Sequence, residues 1–254
     1  MSLITRLVPL PKIDQSKKAL FIGPHPDDIE IGAGGLVSKL VRSGCEVYYL
    51  ICCDGGCGTP DRNANPLDIA TIRKKETLEA AKFMGVKDVF FLDYPDGGKY
   101  QVEDLRVDIA KVILKLLPDL VLCPSPFLKT ETHMDHLRVA NATRTSLLVS
   151  KFPLVAKRQG IDIEKIEEFS KGVNLAYYFT SEVNQIVKIN KNDLENKINA
   201  FMKHKSQTTD ASTKDVVTYI KYKAKILGLK RFARFGEGYF VLGVVHQHCF
   251  CENI

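Results

Sequence analysis

Two short stretches of the chain hold residues that could do chemistry together. The first, Gly23-Pro24-His25-Pro26-Asp27-Asp28-Ile29-Glu30, sets an imidazole beside two adjacent carboxylates. The second, far downstream, is Thr132-His133-Met134-Asp135-His136. Imidazole nitrogens and carboxylate oxygens are donors that a borderline divalent cation accepts. A tight turn can aim His25 and Asp28 at one point. Asp27 need not face the same way, so one carboxylate can hold a metal while the other faces a water as a base. A site with two ligands needs a third, and the second stretch offers His133 and His136. Three residues apart, they share one side of a turn or of the first residues of a helix. Asp135 is placed to orient an imidazole, as carboxylates behind metal ligands do. Each cluster also admits a plainer reading: Asp27 or Asp28 as a helix N-cap favoured by the macrodipole, and 133–136 as a polar surface loop.

The flanking residues say what positions these clusters. Residues 19–22 are apolar and short, which predicts a buried strand, and 35–42 carry apolar residues at helical spacing up to Gly44. The first cluster therefore lies on a strand-to-helix turn, at the carboxyl edge of an open α/β sheet where ligands bind. A strand at 119–123 and a helix from about 137 to 149 frame the second cluster in the same way. Between them come a strand at 46–52, a glycine-rich loop at 53–60 and a helix at 67–85. A strand at 89–92, the turn Tyr94-Pro95-Asp96-Gly97-Gly98 and a helix at 102–117 follow. Gly32, Gly34 and Gly35 fall past the turn, at helix-packing positions rather than in a phosphate loop.

Four β-α units predict a parallel sheet with right-handed crossovers. Beyond Lys151 the order breaks into a polar, basic insertion (151–171), strands at 173–179 and 185–189, and helices at 192–205 and 215–235. The tail 244–251 reads as a strand with His246 and His248 on one face and Cys249 and Cys251 on the other, so the four cannot converge on a metal without a kink. The expectation is an α/β, Rossmann-like three-layer fold with a mainly parallel sheet. One domain would span 1–254, with a core at 17–150 and a C-terminal extension at 151–254.

Composition narrows the function classes. No apolar run is long enough to cross a membrane, and the first ten residues lack the apolar centre of a secretion signal. The seven cysteines are an odd number and suit reduced thiols and a cytoplasmic location. Cys52, Cys53 and Cys57 have no second pair at zinc-finger spacing. A net charge of +6 permits an anionic substrate without calling for nucleic acid. The basic stretches 151–158 and 221–234 default to solvated surface.

The pair of motifs, H-P-D-D-x-E and H-x-D-H, resembles the LmbE/PIG-L family of zinc-dependent N-deacetylases. The resemblance implies that His25, Asp28 and His136 hold one Zn²⁺ per chain with a position open for water; Fe²⁺ or another divalent metal also suits this donor set. It implies that Asp27 takes the water's proton and returns it to the leaving amine, and that Arg73 or His133 helps the metal stabilise the oxyanion. Asp135 would orient His133. Arg73 and Glu76 alone read equally as an exposed ion pair one turn apart; the family's R-x-x-E draws Arg73 to the site. A Y-P-D-G likeness puts Asp96 near the substrate's sugar. Lys197, Ala200, His204, Ser206 and Gln207 resemble K-x-x-A-x-x-x-H-x-S-Q, with His204 read as a helix-end residue rather than a metal ligand. Phe235, Glu237 and Tyr239 resemble Y-x-E-x-F, but Phe235 lacks the hydroxyl that assists the oxyanion in some members. Met134 stands where proline is common.

The implied reaction is release of acetate from an N-acetylglucosamine-type sugar conjugate, with a small-molecule partner and room for a homo-oligomer. Three alternatives stay open: a deacylase of another amide, a non-catalytic metal- or sugar-binding protein, and a nucleotide-binding oxidoreductase. The last could use Asp54 but lacks the turn glycines.

Overall fold

The computed structural model describes residues 7–209 and 212–248. Its centre is a seven-stranded sheet made of β1 (Lys18–Gly23), β2 (Glu46–Cys53), β3 (Asp88–Tyr94), β4 (Leu120–Pro124), β5 (Asn174–Tyr178), β6 (Gln185–Ile189) and β7 (Phe235–Leu242). The strand order is β3-β2-β1-β4-β5-β7-β6. The first five strands pair in parallel, and β7 runs antiparallel to β5 and β6. β1, β2 and β4 are buried along almost their whole length because helices cover both faces, which is why they read as continuous apolar runs.

Side-chain alternation along β1 divides two cores. Ala19 and Phe21 point to the face packed by α1 (Asp28–Arg42), α2 (Pro66–Met84), α6 (Lys191–Phe201) and α7 (Ser212–Leu229). Leu20 and Ile22 point to the face packed by α3 (Val102–Leu116) and α4 (Met134–Lys151). The three-layer α/β fold expected from the sequence is the fold observed. Gly32 and Gly35 are packing glycines. A Cβ at Gly32 would come within 2.2 Å of the Tyr178 ring, and one at Gly35 within 2.8 Å of the Glu237 carboxylate.

Four local expectations differ from the structure. α1 starts at Asp28 rather than at residue 35, so the turn after β1 is only four residues long. The insertion after Lys151 is not merely polar surface: it holds a short helix α5 (Pro153–Arg158), whose Ala156 packs with Ile161 on Ala110, Leu114 and Val149. The helix expected at 215–235 ends at Leu229, and Phe235 opens β7 between β5 and β6. Gly236 and Gly238 had hidden that strand's alternation. Helix and strand also touch backbone to backbone there, since a Cβ on Gly228 would meet Phe235 Cα at 2.7 Å. The tail expected as a strand turns instead through a 3₁₀ segment, Val244–His246, and His246 Nε2 lies 3.2 Å from the Val8 carbonyl oxygen. Cys249 and Cys251 lie outside the described residues. Among the described residues, no helix is long and apolar enough to cross a membrane.

Candidate active site

The first cluster is built by the turn from β1 into α1. The Pro24 carbonyl accepts from Cys53 N at 2.8 Å, which ties the turn to β2. Asp27 sits at the N-cap position with φ 103°, a left-handed conformation that a non-glycine residue adopts only under constraint, and its side chain does not cap the helix. That twist separates the two carboxylates. Asp28 turns back on the loop and accepts from His25 N at 2.9 Å, while Asp27 faces Arg73.

The second cluster is built by the loop from β4 into α4. His133 is the N-cap of α4, its Nδ1 accepting from Asp135 N at 3.3 Å, and His136 stands in the first turn. The two clusters meet. The ring centroid of His25 lies 4.5 Å from that of His133 and 5.5 Å from that of His136. Asp28 Oδ2 is 3.4 Å from His25 Nδ1 and 3.3 Å from His136 Nε2.

The other nitrogen of each imidazole is backed by carboxylate. His25 Nε2 lies 3.1 Å from Asp96 Oδ1 and 3.4 Å from Asp135 Oδ2, and His136 Nδ1 lies 2.9 Å from Glu131 Oε2. Asp135 is fully buried, accepting from Gly97 N at 2.7 Å and from the Tyr100 hydroxyl at 2.8 Å. Its carboxylate therefore serves His25, whereas the sequence expectation paired it with His133. The reason is helical geometry: as N-cap, His133 presents its ring to the backbone N–H of Asp135, and the Asp135 side chain projects past it into the sheet edge. Asp96, expected beside the sugar, is closed against His25 and accepts from Cys57 N at 3.1 Å.

Arg73 is buried and is not half of an exposed pair. Its guanidinium donates to the Pro26 carbonyl at 2.5 Å, the Gly55 carbonyl at 3.1 Å and Asp27 Oδ2 at 3.3 Å. Glu76 accepts instead from Ser206 N and Oγ, at 2.7 and 2.6 Å. His204, fully buried at the end of α6, faces Glu30 with Nε2 3.4 Å from Oε2, away from the imidazole group. Lys197, Glu237 and Tyr239 form a buried cluster that grips α1, Glu237 accepting from Gly35 N and Leu36 N at 3.1 and 2.7 Å. Phe235 is buried in the core at the start of β7.

The electrostatics follow from this crowding. Burial disfavours a proton on His25, but Asp135, Asp28 and Asp96 outweigh it and push its pKa up to about 12. Burial raises Asp28, yet His136 and His25 hold it well below the usual carboxylate range. For Asp27, burial and the adjacent Asp28 charge prevail over Arg73 and His204, and lift the pKa to about 7. Burial and the neighbouring imidazoles of His25 and His136 keep His133 below its ordinary value.

Sequence reasoning missed Glu131, whose signal was a carboxylate two residues before His133, and the pairing of Tyr100 with Asp135. It also left Glu30 of the first motif without a partner, which the fold supplies as His204.

The donor set fits a divalent metal. Two imidazoles and one carboxylate is the ligand set of open zinc and iron sites, and carboxylates behind both rings fix which nitrogen is free. His25, His133 and His136 also offer ring nitrogens that all lie within 4.8 Å of one another.

The model of the PIG-L family, described as GlcNAc-PI de-N-acetylase, matches residues 20–147. The diacetylchitobiose deacetylase of Thermococcus kodakarensis is 32% identical over 237 residues, covering 92% of this chain and 86% of that protein. The 1D-myo-inositol 2-acetamido-2-deoxy-alpha-D-glucopyranoside deacetylase of Kineococcus radiotolerans is 27% identical over 175 residues, 57% of this chain and 48% of that one. Among solved structures, the N,N'-diacetylchitobiose deacetylase of Pyrococcus horikoshii in complex with its inhibitor MPG matches with a TM-score of 0.87. At 32% identity the match covers 95% of this chain and 89% of that one. With the family model spanning half the chain and a relative matching nearly all of it, the chain belongs to the PIG-L family of de-N-acetylases.

Proposed function

We propose that the chain removes acetate from an N-acetylglucosamine-type sugar conjugate, with a divalent metal, zinc by preference, held by His25, Asp28 and His136. One observation carries this reading. The free nitrogens of the two imidazoles face the same oxygen of Asp28, and each ring is braced from behind by a carboxylate. Zinc bound there would polarise the amide oxygen and bring the pKa of a water toward neutrality.

The rest of the chemistry belongs to side chains. Asp27, with a pKa near the working pH, accepts the water's proton and passes it to the departing nitrogen, so the amine leaves neutral as acetate forms. Arg73 does not reach for substrate in this reading. It clamps Asp27 and the Pro26 and Gly55 carbonyls, and so fixes the direction of the base. His133 is neutral at pH 7, and its Nδ1 is spent on Asp135 N, so Nε2 carries the hydrogen and donates to the developing oxyanion. That assigns to His133 the help that a hydroxyl at Phe235 cannot give. Asp96 and Asp135 hold the His25 ring rather than the sugar.

The relatives from Thermococcus kodakarensis, Kineococcus radiotolerans and Pyrococcus horikoshii are deacetylases of acetamido sugars, which supports the substrate class. Purified protein is expected to carry about one zinc per chain and to release acetate from an N-acetylglucosamine derivative, with His136→Ala losing both. Metal present without acetate release across a broad panel of acetylated amino sugars would refute the proposal.

A further inference from the structure

The net charge of the chain is concentrated in one place. Residues 212–234 hold seven lysines and arginines against one aspartate, which equals the +6 of the whole chain, so the remainder is balanced. α7 fills most of this stretch. Its inner face, Ile220, Ala224 and Leu227, is buried. Its outer face is not polar. Tyr219, Tyr222, Ile226 and Leu229 recur at spacings of three and four and are 54, 66, 39 and 73% exposed. Phe232, in the turn that follows, has φ 53° and is 100% exposed.

At about 100° per residue these side chains form one stripe, bordered by Lys214, Lys221 and Lys225 on one side and by Lys223 and, past the helix end, Lys230 on the other. A helix that is apolar on two opposed faces has one partner in its own core and is built for another outside. A second copy docking through a two-fold axis would set one +6 stretch against its twin, and the balanced remainder of the chain carries no net charge to offset it. An anionic bilayer fits each feature. Lysine stems lie along the apolar stripe with their ammonium groups at the phosphates, the tyrosines sit at headgroup depth, and Leu229 and Phe232 enter the acyl boundary.

We propose that α7 and the turn after it are a docking surface for an anionic lipid bilayer, on which the helix lies flat. The proposal is independent of the reaction assigned to the site. The full chain is sedimented with vesicles of phosphatidylcholine alone or with about 30% phosphatidylserine. Binding is expected to be about tenfold stronger to the anionic vesicles and to fall away at about 0.5 M salt. The double variants Leu229→Glu/Phe232→Glu and Lys221→Glu/Lys225→Glu should each lower it about tenfold with an unchanged thermal midpoint. No binding at low salt, or equal binding to both kinds of vesicle, overturns the proposal. So does light scattering that shows an oligomer which Leu229→Glu/Phe232→Glu converts to monomers, since the stripe then joins copies of this chain.

Discussion

Replacing Asp27 by asparagine separates the proposed base from everything else at the site, and the structure says why the substitution is clean. Asparagine is one of the few residues that tolerates the left-handed backbone Asp27 adopts, so the turn keeps its shape. Asp28, the proposed metal ligand, points the other way, toward His25 and His136, and is untouched. Arg73 loses a charged partner at 3.3 Å but keeps both carbonyl acceptors. The charge removed is one that burial already disfavours, as the raised pKa of Asp27 records. Stability should therefore change by less than about 1 kcal/mol.

Catalysis should not survive so well. A positioned base contributes about 10²–10⁴ in rate, or roughly 3–5 kcal/mol of barrier, and an amide cannot accept the water's proton. We expect kcat for acetate release to fall about a thousandfold, KM to stay within about threefold, and zinc content to be unchanged. The measurements are steady-state acetate release and elemental analysis on the same preparation. A kcat within tenfold of the parent would dismiss Asp27 as the base. Loss of zinc would mean that the two carboxylates do not have the separate roles given to them.

Three further perturbations test the surroundings. The metal-free protein should be most stable near roughly pH 4 and should lose stability as pH rises from there. Asp27, raised from 3.8 to about 7, stabilises fully below 3.8 and loses that contribution by about 7; His25, raised from 6.5 to about 12, has the same sign, stabilising fully below 6.5 and progressively less as pH climbs. Asp28, Asp96 and Asp135 are lowered, so their contribution is lost only as pH falls below 3.8. Thermal midpoints after chelation should thus drop from pH 6 to 9, whereas the zinc-loaded protein, in which metal replaces the His25 proton, should not follow; a flat chelated profile contradicts the proton assignment. Glu131→Gln should weaken zinc binding about 10- to 100-fold in competition with a chromogenic chelator while circular dichroism stays unchanged, and unaltered affinity would remove Glu131 from behind His136. Gly32→Ala should cost about 2–3 kcal/mol in denaturant unfolding, because its methyl would sit 2.2 Å from a fully buried tyrosine ring whose hydroxyl is tied to the Ile22 carbonyl. A loss under about 0.5 kcal/mol would mean that Tyr178 can move.

What the sequence made legible was what strand ends dictate. His25 and His136 could be placed at the same sheet edge because both clusters follow short apolar runs that read as buried strands, and the resemblance to the family joined them; that those strands are neighbours is a fact of the fold. What stayed hidden were facts of side-chain direction. Whether the Asp135 carboxylate reaches its helix neighbour or crosses to His25 depends on His133 taking the N-cap, and no spacing rule reports that. Spacing alone left Arg73 as readily on the surface as at the site, because α2 is amphipathic only weakly, and the family's R-x-x-E was what drew it inward. Its burial comes from the glycine loop 55–58 folding over it, where a Cβ at Gly58 would lie 2.3 Å from the guanidinium. β7 was lost for a related reason. Its two glycines, which erase the period-two signal, are there because α7 presses on the strand.

The distance in sequence between the two clusters is itself a product of topology. After β1 the chain moves outward to β2 and β3, and only then returns to lay β4 on the opposite side of β1. The turns that leave β1 and β4 therefore diverge to opposite faces, toward α1 and α4, and open a crevice between adjacent strand ends. Side chains that point into this crevice must face one another whatever residues fill the connection between them. Histidines at both rims meet there, and β2 and β3 send Gly55 and Asp96 to the same edge. The tight part of the design is then local: a left-handed Asp27 to split the carboxylates, and a carboxylate behind each imidazole to choose its free nitrogen. A chain that kept the sheet but lost either device would still bring the rims together, but without the divided carboxylates or the fixed imidazole nitrogens that the proposed reaction needs.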